Sequence, residues 1–392
     1  MYNYLRLMLV LLLAPMLATG QAKDQAPCSD VTVNLSGLQV LEDLDLESFA
    51  ELTQLAALES IPDLSNLADL ADLAELAELK NIVIVDQTGN HATEEAMAFD
   101  AEKRKTIDKT FKVSSADGLK IDNQWGKVHV NTWDKKEMRV KVDVIARAAT
   151  DDRAQAILNS VNIQESREGN AYVFRTQKEP MNISGKHSKS LEINYTIYMP
   201  AENAISIKNQ FGDVYLASMK GKAEIDVKYG ALKCDRLTNQ GNTIKLAYGS
   251  GDCNYIKGGN ISVAYGNMKV GEASGLQGSS KFSDFSIGNL QEAIDMKVQY
   301  GSFNVDNISN NVRKVSLNSG FSPLSLRFAD DSAFNFDVNV QFGNFNVDKS
   351  LITITSLEKD YTSAEYKGKY GNTAPKAEVS IISKYGDVRF IK

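Results

Sequence analysis

The sequence predicts an all-β protein: a single-stranded parallel β-helix (β-solenoid) with coils of about 17–21 residues, preceded by an acidic N-terminal region that is partly helical or disordered. Three observations predict this. An aromatic residue followed by Gly recurs at near-constant spacing. Apolar residues alternate with period two on both sides of each pair. The parity of that alternation flips at fixed distances from the aromatic, without loss of apolar character.

The aromatic–Gly pairs begin at Trp125, Phe211, Tyr229, Tyr248, Tyr265, Tyr300, Phe342, Tyr370 and Tyr385, and Phe282 and Phe321 fill the missing slots with Ser in place of Gly. From Phe211 to Phe342 the steps are 18, 19, 17, 17, 18, 21 and 21 residues. Two and four residues before the aromatic stand Val227 and Ile225, Leu246 and Ile244, Val263 and Ile261. Three after come Val214, Leu232, Met268 and Phe285, and five after come Leu216, Cys234, Cys253 and Val270. Alternation with period two marks a strand with one buried face. A parity flip between the aromatic and position +3, and again between +5 and +8, marks corners at which the chain bends and restarts. Gly after the aromatic suits a corner that needs positive φ or close backbone approach.

An antiparallel meander fits less well, because two-residue hairpin turns favour Asn-Gly or Asp-Gly and a bulky aromatic resists positive φ. A propeller blade of about 40 residues is twice this repeat. Coils stacked about 4.8 Å apart would lay like residues over like. The corner ladder is then Trp125, Phe211, Tyr229, Tyr248, Tyr265, Phe282, Tyr300, Phe321, Phe342, Tyr370 and Tyr385.

Four segments follow. Residues 1–22 read as a cleavable signal peptide, with Arg6, an apolar run from Leu7 to Leu17 and a small-residue exit to Ala22. No transmembrane segment is expected in the mature chain. Residues 23–110 form an acidic Leu/Ala/Asp/Glu-rich region, helical or disordered, with eleven acidic residues and one basic residue between Leu41 and Lys80. Its leucines recur every three residues from Leu67 to Leu79, so their stripe winds around a helix of period 3.6. A shorter polar helix is expected around Glu94–Lys105. Residues 111–204 open the solenoid with strands at Met138–Val144, Ala171–Thr176 and Leu191–Met199 and a short helix over Asp151–Leu158, capped by Thr150. Residues 205–392 are expected as regular coils.

Residues 1–110 hold 7 basic and 19 acidic side chains, and 111–392 hold 36 basic and 31 acidic. An acidic arm thus precedes a mildly basic body, neither with the dense Lys/Arg stripe of a nucleic-acid binder. The three cysteines are too few for a disulfide-framed scaffold. His91, His129 and His187 have no metal-ligand spacing. No cofactor, metal or catalytic residue is expected. The outward positions beside the core ladders (Asp213 and Tyr215, Lys233, Asp252, Lys269, Ser286, Asn304, Ser325, Asn346 and Arg389) gather no carboxylate column of the kind a carbohydrate-active β-helix enzyme needs. Cys234 and Cys253 occupy the same position in consecutive coils. The separation suits a disulfide, but in-register side chains point the same way, so two reduced, buried cysteines are the expectation. Gln299–Asn304 and Gln341–Asn346 carry the Gln-x-Gly-x-x-Asn spacing of curli-type fibre subunits, in two coils alone.

The stretch Leu119–Val130 with Asn131-Thr-Trp-Asp134, then Ile197-Tyr-Met-Pro200 and Ile205–Leu216 with the coils after it, resembles the putative-adhesin family with β-strand repeats, exported bacterial proteins of unknown function. The resemblance covers about 280 residues and implies a single-stranded β-helix with no catalytic residues to carry over. The expected function is a non-enzymatic, exported adhesin-like or scaffold protein at the periplasm or cell surface, binding a glycan or protein partner through its solenoid faces. The alternative is an envelope structural protein whose acidic arm docks a protein partner.

Overall fold

The computed structural model describes residues 100–179 and 189–392. The expected signal peptide and the acidic region up to residue 99 lie outside the described residues. Those described form 25 β-strands, one nine-residue α-helix and one short 3-10 turn.

From residue 204 onward each repeat gives one strand to each of two columns. The first column holds β8 (Ala204–Gln210), β10 (Ala223–Lys228), β12 (Thr243–Ala247), the first half of β14 (Asn260–Ser274) and of β15 (Leu276–Leu290), then β16 (Ala293–Gln299) and β18 (Lys314–Gly320). The second holds β9 (Val214–Leu216), β11 (Ala231–Leu237), β13 (Ser250–Lys257), the second halves of β14 and β15, then β17 (Phe303–Ile308) and β19 (Leu324–Phe328). Within each column every strand pairs parallel with the strand one repeat away, in register throughout except for one shift between Val305 and Ile308 where β17 meets β19. Ile207, Ile225, Ile244 and Ile261 therefore face one another in line, all buried. Each such side chain contributes on the order of 2 kcal/mol through burial.

Two residues before the corner the inward position is polar in several repeats. Asn209 Nδ2 donates to the carbonyls of Gly126 (3.0 Å) and Gly212 (2.8 Å). Ser319 and Ser383 hydroxyls donate to the carbonyls of Ser322 (2.7 Å) and Gly386 (2.8 Å). A bend frees carbonyls from the ladder, and a buried one must find a donor. Short polar side chains supply it.

The ends depart from simple repetition. At the N-terminal end β2 (Gly118–Gln124) and β3 (Val128–Thr132) lie between β8/β9 on one side and β6 (Ala171–Lys178) and β7 (Lys189–Met199) on the other. The chain lays down β2 and β3, leaves through β4 (Glu137–Ala148), and returns to flank them. β4 pairs antiparallel with β7 and with β1 (Ala101–Lys112), while β6 carries β5 (Val161–Glu168) on its outer edge. The helix α1 (Asp151–Asn159) buries Ala154, Ile157 and Leu158, and the Thr150 hydroxyl accepts from Arg153 N–H at its start.

At the C-terminal end β20 (Phe334–Gln341) and β21 (Phe345–Asn346) skip one place. After the turn at Lys349–Leu351, the antiparallel hairpin β22 (Ile352–Lys359) and β23 (Ser363–Tyr370) pairs onto β20. The last strands, β24 (Ala377–Lys384) and β25 (Val388–Ile391), then fill the vacant place between β18/β19 and β20/β21. The repeat is therefore regular from 204 to 328 and non-sequential beyond.

Two expectations are corrected. Regular coils, expected over 205–392, end at 328, because the antiparallel hairpin β22–β23 and the late insertion of β24 and β25 break the order. Residues 101–105, expected within a polar helix, belong to β1. Twelve consecutive residues of β1 pair with β4, and Arg139 and Arg147 of β4 bind Asp108 and Glu102 across that pairing. A long unpaired edge outweighs weak local helix propensity.

Candidate ligand-binding site

At ten corners the aromatic itself takes the left-handed conformation, with φ between 50° and 60°. Of the two roles expected of the Gly, positive φ or close backbone approach, it serves the second, and the aromatic, expected to resist positive φ, adopts it. A Cβ added at Gly212 would lie 2.0 Å from the Gly126 carbonyl oxygen, and one at Gly266 2.0 Å from that of Gly249. In the two Ser variants the hydroxyl takes part in the corner. Ser283 Oγ accepts from Gly266 N–H and Ser322 Oγ from Gly301 N–H, both at 3.2 Å. Left-handed φ costs a bulky residue roughly 1–3 kcal/mol. Stacking returns roughly 0.5–1.5 kcal/mol per pair beyond burial.

From Phe211 to Phe342 nine rings form one stack, with centroids 4.6–5.0 Å apart and planes within 8° of parallel. Tyr385 sits between Phe321 and Phe342, following the non-sequential strand order. Trp125 holds the Lys178 ammonium over its face at 4.9 Å. Tyr370 does not join the stack. It ends β23, is buried, and stacks on Phe334 at 4.6 Å, because the hairpin turns its alternation toward the core. The positive φ beside it belongs to Gly371. Each of the seven rings between Phe211 and Phe342 is covered on both faces by its neighbours, so only their edges meet solvent. That geometry makes a corner and offers a ligand no ring face along its length.

Cys234 and Cys253 are joined by a disulfide, which corrects the expectation of reduced thiols. Their Cα atoms, directly opposed in the β11–β13 pairing, are 4.5 Å apart. That separation lies within reach of the bond although both side chains leave the same strand face.

The outward row of the second column carries the more varied chemistry. His129, Tyr215, Lys233, Asp252 and Lys269 follow one another in register across β3, β9, β11, β13 and β14. The rings of His129 and Tyr215 lie 5.6 Å apart, tilted by 34°. β9 is three residues long and is followed by the small residues Ala217 and Ser218, which leaves a recess of about 370 Å³. His129, Asn131, Tyr215, Ala217, Lys233, Asp235, Asp252 and Asn254 line it. Asp235 accepts from Ser218 and from Asn254 (3.0 Å), which holds its carboxyl below the usual carboxylate range. Asp213 accepts from Ala231 N–H (3.0 Å) and fixes the Tyr215 hydroxyl (3.4 Å). A second recess of about 540 Å³ lies at the far end, lined by Asn346, Ser350, Arg389 and Lys392.

Among the described residues no group of three or more His, Cys, Asp or Glu side chains converges to hold a metal ion. No described helix is long and apolar enough to cross a membrane. Sequence reasoning placed Tyr215, Lys233 and Asp252 outward but did not gather them into a site with His129. All four stand four residues after a corner aromatic, and Asn131, Asp235 and Asn254 stand six after one, so the offset was the available signal.

No protein-family model and no curated protein matches the chain. Among solved structures it is similar to a putative adhesin from Bacteroides fragilis, at 18% identity over 57% of this chain and 97% of that one, TM-score 0.33. It is also similar to a putative adhesin from Parabacteroides merdae (12% identity, 74% and 97% covered, TM-score 0.30). A third is a putative cell adhesion protein from Clostridium sporogenes (12% identity, 74% and 99% covered, TM-score 0.20). The architecture rests on the strand register, not on these likenesses.

Proposed function

We propose that the two columns are successive faces of a β-solenoid that acts as a non-enzymatic, exported binding scaffold of the adhesin type, and that its ligand is a glycan. The observation that carries this reading is the outward row His129–Tyr215–Lys233–Asp252 over the recess beside β9. Sugars are bound by shallow surfaces that combine an exposed aromatic with fixed polar groups. Here Tyr215 and His129 supply rings that are not stacked out of reach, and Asn131, Asp235 and Asn254 supply acceptors and donors for hydroxyls. Lys233, in the recess, gives the carboxylate of an acidic sugar a cationic partner, while Asp235 and Asp252 accept from its hydroxyls.

A regular stack with neighbouring repeats in register suits an extended ligand rather than a small one. The disulfide supports an oxidising compartment outside the cytoplasm. A glycan array probed with the purified chain and with Tyr215→Ala tests the reading. Binding to acidic oligosaccharides that the variant loses is the expected result. An array without hits, or turnover of a polysaccharide by the chain, overturns it.

A further inference from the structure

Among the described residues β22 hydrogen-bonds on one side only, to β23. Gly371 N–H donates to Leu351 O, and Asp360 N–H donates to Ser363 O. Successive residues of a strand turn their amide and carbonyl to opposite edges. The bulge between Ile354 and Ser356 resets that alternation. The backbone groups of Ile352, Ile354, Leu357 and Lys359 therefore face away from β23. The side chains of these four share one face, since their partners Tyr370, Gly368, Tyr366 and Ala364 alternate along β23. Ile354 is 39% exposed and Leu357 46%.

Other edges are guarded. Seven of the twelve residues of β1 are charged, as are three of the eight in β5, and charge on an edge strand discourages pairing with another chain. The charges of β22, Glu358 and Lys359, sit together at its hairpin end. Ile352 to Leu357 is uncharged, β-branched in four of six positions, and open.

We propose that β22 is a self-association edge, through which two copies of this chain pair antiparallel about a two-fold axis between Thr355 and Ser356. In that register Ile354 of each copy faces Leu357 of the other, and Ile352 faces Lys359. Every outward-turned residue then meets an outward-turned residue, as a hydrogen-bonded pair requires. An unbulged strand fails in this register, because residues three apart turn to opposite edges. The bulge admits this register in β22, where a regular strand would pair about an axis through a residue. No like charges oppose: Glu358 faces Thr353. β1 has no bulge, and pairing it with its own copy about Ile107 sets Lys105 against Lys109. Such an interface is isologous, so it closes at a dimer. A strand from another protein could occupy the edge, but a register that sets Ile354 against Leu357 and opposes no like charges favours a second copy.

Light scattering on the purified exported chain across micromolar concentrations tests this, with Ile354→Lys/Leu357→Lys and, as a control on the other edge, Ile107→Lys. Expected are a dimer for the wild type and for the control, and a monomer for the double variant with unchanged far-ultraviolet circular dichroism. Should the double variant fail to fold, hydrogen exchange on the wild type decides. The amides of Ile352, Ile354, Leu357 and Lys359 must gain protection as concentration rises. A wild type that stays monomeric, a dimer that survives the double substitution, or protection independent of concentration overturns the proposal.

Discussion

Cys234 stands directly across one strand pairing from Cys253, nineteen residues on, and a disulfide joins them through the second column. The bond closes a short loop of the unfolded chain. A loop of that size is worth about 3 kcal/mol. Cys234→Ser/Cys253→Ser should therefore lower unfolding stability by about 2–3 kcal/mol, read from denaturant midpoints. Because the register there is also held by Leu232, Leu237 and Ile256, the variant should still fold. An unchanged midpoint would contradict the assignment.

The corners give a contrast between two glycines. Gly266→Ala forces a methyl to within 2.0 Å of the Gly249 carbonyl, whereas nothing lies within 4 Å of a Cβ at Gly320. Gly266→Ala should cost about 3 kcal/mol, as overpacking does. Gly320→Ala should fall within about 0.5 kcal/mol of the parent. Thermal unfolding of the two variants side by side measures the difference, and equal melting temperatures would refute the role of close approach.

The last strands lie inside the stack rather than at its end. Truncation after residue 372 removes β24 and β25, on which β20 and β21 depend for their parallel pairing. Limited proteolysis should then cut freely between 334 and 370 while the 204–328 repeats stay resistant. Protection of 334–370 in the truncated chain would show that β20 can dock on β18 directly.

Acid should loosen β1 before the rest. The Arg139 guanidinium holds the Asp108 carboxyl below the usual carboxylate range, and Arg147 does the same for Glu192 on β7. A carboxylate with a lowered folded-state pKa stabilises the fold above its unfolded value, and that contribution is lost as pH falls through the folded one. Exchange of β1 amides should therefore rise below about pH 4, near the ordinary carboxylate value, ahead of those in β12. Both pairs are partly exposed, so the effect is modest and should shrink in high salt.

The rows that repeat were legible in the sequence. Ile225, Ile244 and Ile261 share an offset from Tyr229, Tyr248 and Tyr265, and that offset is their register. Chain order at the ends was not. Tyr385 and Phe342 carry the same corner signal whichever of them follows Phe321, since an offset fixes position within a repeat and not the order of repeats. Tyr370 matched the pair Tyr-Gly, but with Gly368 two places before it and Thr373 and Pro375 three and five after it lacks the inward ladder on both sides, and that was the sign that it is not a corner. The positive φ of the aromatics defied their intrinsic preference and became legible only through the stack that compensates it. The site was half legible: its residues were placed outward, but the short β9 that opens the recess left no pattern of its own.

Calorimetric titration of the purified chain with an acidic oligosaccharide, such as an oligouronate, tests the central reading most directly. Binding by the wild type, with affinity reduced tenfold or more in both Tyr215→Ala and Lys233→Ala and unaltered in Arg389→Ala at the far recess, is the predicted result. Equal affinity in all four proteins would contradict it.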